Sequence, residues 1–100
     1  ENELLSKLFE LMGDGYGHLH KVERMIEFYE RCLKYDDDER RRALIQIKCA
    51  KNILDQYGKN EGYDYKIKCK QMLDDVSSST FINDEEKKNV DVLIRSIPDD

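Results

Sequence analysis

The chain has 100 residues, a net charge of -5, an apolar share of 39% and an equal charged share. That length fits one domain with one core, and the charge balance suits helices that are apolar on one side and solvated on the other. An acidic surface disfavours general attraction to nucleic acid or anionic membrane, and no apolar run approaches the roughly 18–20 residues of a membrane span.

A first helix is expected from about Asn2 to Met12, with Leu4, Leu5, Leu8, Leu11 and Met12 facing the core and Gly13 ending it. A second is expected from near His18, with Leu19, Val22, Met25, Ile26, Tyr29 and Leu33 along one side and Glu23, Arg24, Glu27, Glu30 and Arg31 along the other. In YDDDERRR an aspartate cap and acidic first turn announce a third helix running to about Tyr57. Its main stripe is Ala43, Ile47, Ala50, Ile53, Leu54 and Tyr57. Leu44, Ile45 and Cys49 lie off that stripe, at about 120, 220 and 260 degrees from Ala50. A helix apolar around so much of its circumference is expected at the centre of the fold.

GKNEG, residues 58–62, marks a turn. A fourth helix then places Tyr65, Cys69, Met72, Leu73 and Val76 on one face up to about Ser77, and SSST connects it to a fifth. Asn83 with Glu86 three residues later reads as a capping box, Val90, Leu93, Ile94 and Ile97 form the stripe, and Pro98 closes it. With no alternating strand pattern and no repeat, the expectation is all-α: a single domain, residues 1–100, built as a bundle of four to five helices with helix 3 (about 38–57) central. A chain beginning at Glu1 also suits a segment excised from a longer protein.

Residues 12–23, MGDGYGHLHKVE, are the stretch with the most unusual composition. With Gly17 at the sixth position of a calcium loop, Leu19 falls at the eighth and Glu23 at the twelfth, and apolar helices flank both sides. Over about 30 residues the segment thus resembles an EF-hand, and the resemblance implies a cation site using Asp14 and Glu23. Met12 and Tyr16 occupy the first and fifth ligand positions, however, where oxygen donors are needed. The usual partner hand fails at residues 57–68, since Asp64 or Asn60 falls at the aliphatic position. A glycine-rich turn between antiparallel helices is the favoured reading, with no metal or cofactor expected. His18 and His20, two apart, point away from each other on a helix and make a chance pair.

Cys32, Cys49 and Cys69 are odd in number, lack CxxC spacing and fall inside expected helices. They read as small buried hydrophobes in a reducing, intracellular, cytoplasmic setting. No serine or histidine sits in a catalytic motif, so an enzyme is not expected. Arg40, Arg41 and Arg42 with Lys48 and Lys51 make the third helix locally basic, which supports a weaker nucleic-acid reading, but acid-then-base order is what a solvated helix start looks like. Tyr16, Tyr63 and Tyr65 near helix ends suit either an interface or the margin of a core. The function expected is non-enzymatic: an adaptor or regulatory module binding another protein, or itself, through a helix face or groove, the alternative being a degenerate EF-hand-like regulatory domain with a decayed loop at 12–23. The candidate partner-binding residues are Arg40, Arg41, Leu44, Ile45, Lys48 and Cys49.

Overall fold

A computed structural model describes residues 2–56 and 65–98. It contains five helices, α1 (Asn2–His18), α2 (Val22–Tyr35), α3 (Glu39–Asp55), α4 (Lys66–Ser77) and α5 (Asp84–Arg95), and among the described residues there is no strand. The all-α bundle is therefore as the periodicity predicts. The turn at 58–62 and Tyr57, Tyr63 and Asp64 lie outside the described residues.

Helix starts follow local chemistry. Asp38 caps α3, its side chain accepting from the Arg41 amide at 3.0 Å. Asn83 and Glu86 form the reciprocal capping box of α5, both bonds at 2.8 Å. Each cap satisfies amides that the helix itself leaves without an acceptor.

The core belongs to α2, α3 and α4, with Val90 of α5 and Ile82 before it. α3 packs against α2, α4 and α5, and the apolar residues off its main stripe explain how. Ile45 and Cys49 are 2% and 0% exposed, covered by the chain's own helices, and Leu44 is half-buried. α2 is buried on two sides, presenting Met25, Ile26, Tyr29 and Cys32 to the interior and Phe28 to α1.

The first hairpin departs from expectation in two ways. α1 does not stop at Gly13 but continues to His18, because Gly13 and Gly17 are contact points against α2. A Cβ on Gly13 would stand 2.6 Å from the Tyr29 ring, and one on Gly17 3.1 Å from the Met25 sulfur. The helix ends instead in a Schellman motif, in which the amide of Lys21 donates to Tyr16 O at 2.9 Å and that of His20 to Gly17 O at 3.1 Å. His20 takes the left-handed position, φ 58, usually given to glycine. α2 accordingly begins at Val22 rather than near His18.

The second departure concerns which face of α1 is inside. The residues meeting α2 and α3 are Ser6, Phe9, Glu10, Gly13 and Tyr16. The leucine stripe expected in the core faces water: Leu4 is 73%, Leu8 51% and Leu11 67% exposed, with Leu5 also exposed. The molecule measures 42 × 31 × 18 Å. The short dimension equals about two helix diameters, so α1 lies at the margin of a flat bundle with α2 as the helix it packs on most extensively.

Candidate functional site

The outward face of α1 is built by helix geometry acting on two incompatible apolar sets. At 100 degrees per residue, Leu4, Leu5, Leu8, Leu11, Met12 and Gly15 occupy one third of the circumference, whereas Ser6, Phe9, Gly13, Tyr16 and Gly17 lie opposite. Small residues win the inner position because they allow the helix axes close together, and a polar network then fixes the approach. Ser6 donates to Asp36 Oδ2 at 2.6 Å and lies 3.2 Å from the Cys32 sulfur. Arg41 joins Asp36 at 2.6 Å to Glu10 at 2.9 Å, and Lys48 joins Glu10 at 2.5 Å to Asp14 at 3.0 Å. Tyr29, fully buried, donates to Asp14 at 2.5 Å and accepts from Asn52 at 3.2 Å.

These contacts set the charge states. Burial opposes ionisation of Asp36, but Arg41, Ser6 and the Asp38 amide outweigh it and hold its carboxyl below the usual range. Glu10 is likewise opposed by burial and lowered on balance by Lys48 and Arg41. Burial and the adjoining Asp14 carboxylate push the Tyr29 hydroxyl strongly up, so it stays a donor. Burial also raises the Cys49 and Cys32 thiols. All three cysteines are buried in the core and none forms a disulfide.

Several expected site residues thus serve the fold. Ile45 and Cys49 are core residues, so they offer no surface to a partner in this structure. Arg40 grips Glu86 with both terminal nitrogens, at 2.9 and 3.0 Å, and the Phe81 carbonyl at 2.8 Å, clamping α5 to α3. Arg41 and Lys48 fasten α1, and Arg42 reaches the carbonyls of Leu33 and Asp36. Residues 12–18, read above as a glycine-rich turn or a decayed cation loop, are helical. Asp14 is held by Tyr29 and Lys48 while Glu23 is exposed in the first turn of α2. Among the described residues no cluster of His, Cys, Asp or Glu is placed to hold a metal ion.

A polar depression of about 610 Å³ lies at the end of the hairpin, lined by Asp14, His18, His20, Lys48, Asn52 and Asp55 among others. Its floor is the network that joins α1 to α3, and His20 Nδ1 lies 3.0 Å from Gln56 Oε1. The outward face of α1 has a different character. Along one edge it grades into an aromatic seam in which Phe9 stacks on Phe28 and Tyr35 and Tyr16 on Phe28, with Arg31 over the Phe9 and Phe28 rings. Along the other lie Lys7 and Glu3, paired at 3.2 Å. Other exposed apolar residues, Ile67, Phe81 and Val92, sit on separate parts of α4, the following connection and α5. Single exposed apolar residues are ordinary, whereas a contiguous run is not. No protein-family model, curated protein or solved structure matches this chain.

Proposed function

We propose that the chain is a non-enzymatic protein-binding module whose docking surface is the outward face of α1. The observation that carries this reading is the run Leu4, Leu8 and Leu11 standing in water on a helix whose other side is already packed. The leucines of this face, Leu5 included, leave more surface exposed than two whole side chains. At about 1.5–3 kcal/mol for each leucine buried, covering them yields roughly 3–6 kcal/mol before the costs of association. The partner's own apolar surface, buried at the same time, adds a comparable amount, and the total less those costs suits a weak or moderate contact with an apolar helix face rather than a large permanent interface. The internal engagement of Arg40, Arg41, Arg42 and Lys48 moves the docking surface away from α3 and weighs against a nucleic-acid reading.

The test is site-specific photocrosslinking with a photoreactive amino acid at Leu8 or Leu11, and at Ile67 or Val92 as controls, in cells expressing the chain. The expected result is one dominant protein adduct from α1 positions, identified by mass spectrometry and lost when Leu4→Glu is added. Equal labelling from α1 and control positions, or no adduct, would remove this surface from consideration.

A further inference from the structure

We infer that the partner seated on the α1 face is an amphipathic helix with carboxylates along one edge, lying in the outer groove between α1 and α2 so that this edge meets Arg24 and Arg31. This deepens the proposal that α1 is a docking surface and rests on it.

The groove follows from the hairpin. Glu10 and Asp14, which reach α3, lie on one side of α1, and Leu5, Met12 and Tyr16 lie on the other. At 100 degrees per residue those three fill the arc from Leu8 to Phe9, so the leucine face runs without a break into the aromatic seam with α2. Phe9 and Tyr16 stack on Phe28 there. Leu5 and Leu8 are exposed, while Phe9, Met12 and Tyr16 are half-buried. Two helices packed side by side leave a channel whose natural occupant is a third helix, about 10 Å across.

The charges along this channel are one-sided. Arg24 and Arg31 of α2 both turn to Glu27, Arg24 Nη1 to one carboxylate oxygen at 3.1 Å and Arg31 Nη2 to the other at 2.7 Å. Among the described residues neither guanidinium meets a second acid, so two cations share one carboxylate and one positive charge is unmatched. Arg31 also lies over the Phe28 ring at 4.9 Å and the Phe9 ring at 6.0 Å, which seats it beside the apolar floor of the channel. A planar fork already held by stacking and one hydrogen bond keeps N–H donors for a second carboxylate and loses little freedom on taking it. On the opposite edge of α1 the charges are matched, Lys7 with Glu3 and Lys48 with Asp14. The acidic residues 36–38 come only after α2 has ended, so the unmatched charge stays with the body of that helix. The chain as a whole carries a net charge of -5, and general attraction would bring a basic partner. Preference for an acidic edge is thus a property of this channel and opposes the overall field.

The experiment is fluorescence anisotropy of the intact chain with two labelled synthetic helical peptides, at low and high salt. The peptides share a leucine stripe and differ only in one edge, glutamates in one and lysines in the other. The expected result is that the glutamate-edged peptide binds about fivefold tighter or more, with a preference that shrinks as salt is added. Arg24→Glu with Arg31→Glu should reverse the preference, and Leu8→Gln should weaken both peptides by about tenfold. Both arginines are exposed, so the charge reversal should not cost the fold, and circular dichroism checks this. Equal or tighter binding of the lysine-edged peptide, or a preference untouched by the charge reversal, overturns the inference. If both peptides bind without preference and both lose affinity in Leu8→Gln, the acidic edge is overturned and α1 is upheld as a docking surface. If neither binds up to millimolar concentration, the inference is overturned and the docking surface stands or falls by the photocrosslinking experiment. A photocrosslinked adduct that proves to be a second copy of the chain overturns it as well.

Discussion

Gly13 and Gly15 are two residues apart on one helix and should respond to the same substitution with opposite sign. Alanine at 13 would place a methyl against the Tyr29 ring at 2.6 Å, and overpacking of this kind costs about 1–3 kcal/mol, more than the propensity gain of about 1 kcal/mol. Alanine at 15 meets none of the described residues within 4 Å and should stabilise by about 0.5–1 kcal/mol. Urea denaturation of the two variants checks this, and a stabilised Gly13→Ala would contradict the close approach of α1 and α2. Ile45 supplies a second residue-scale prediction. It is buried in the core, so Ile45→Glu should unfold or severely destabilise the domain, by several kcal/mol, because a carboxylate there has no water and no cation. A normal melt would show that Ile45 is not covered by the chain's own helices.

At the scale of elements, the hairpin of α1 on α2 is fastened to α3 by Glu10, Asp36, Arg41 and Lys48. Both carboxyls are held below the ordinary range in the folded state. A depressed folded pKa means that the unfolded chain takes up protons first as acid is added. The stabilisation is therefore complete above the unfolded values, near 4, and is lost as pH falls through the lower folded values. The melting temperature should be flat with respect to these groups from neutrality to about pH 5 and then decline. Glu10→Gln and Asp36→Asn should lower stability at neutral pH and make the acid decline shallower. An unchanged acid limb in both variants would show that the network contributes nothing to joining α1. The Arg40–Glu86 pair joining α3 to α5 is exposed by comparison and should matter less and fade with salt.

On the scale of the whole molecule, one core spans α2, α3 and α4, and one thiol from each of these helices is fully buried in it. Cys32, Cys49 and Cys69 should label slowly and at similar rates in native buffer, and rapidly in denaturant, since reaching any of them requires opening the shared core. Prompt labelling of all three in the native state would contradict that packing. α1 adds little to this core and most to the surface. Substitutions on its outer face, such as Leu8→Glu, should leave the chain's unfolding free energy within about 0.5 kcal/mol of the parent's, in contrast to Ile45→Glu.

How much of this was legible in the sequence follows from where the controlling forces act. Caps at Asp38 and Asn83 were readable because they are contacts over three residues. The inner stripes of α2, α4 and α5 were readable because each repeats at helical spacing, whereas the second buried side of α2, where Phe28 meets α1, and the exposure of Leu19 were not. The central place of α3 was readable, since a helix apolar on several sides needs several neighbours. α1 carries two candidate inner faces, one of leucines and one of small residues. Hydrophobicity favours the first, yet the second packs inward because Gly13 and Gly17 fit Tyr29 and Met25 and because Ser6 and Glu10 reach Asp36, Arg41 and Lys48. Those partners are 8 to 38 residues distant in sequence, and no local pattern couples them. The end of α1 at a left-handed His20 rather than at a glycine was hidden for a related reason: the residue type that signals such a turn was committed elsewhere, to helix contact. Sequence alone thus determined the helical class, a bundle of four to five helices, most of their bounds and the helix at the centre. Only the tertiary structure decided that the leucines of α1 face water and that Arg41 and Lys48 of α3 turn to Asp36 and Glu10 of the hairpin, because that choice depends on steric fit and charge pairing between helices that local periodicity does not encode.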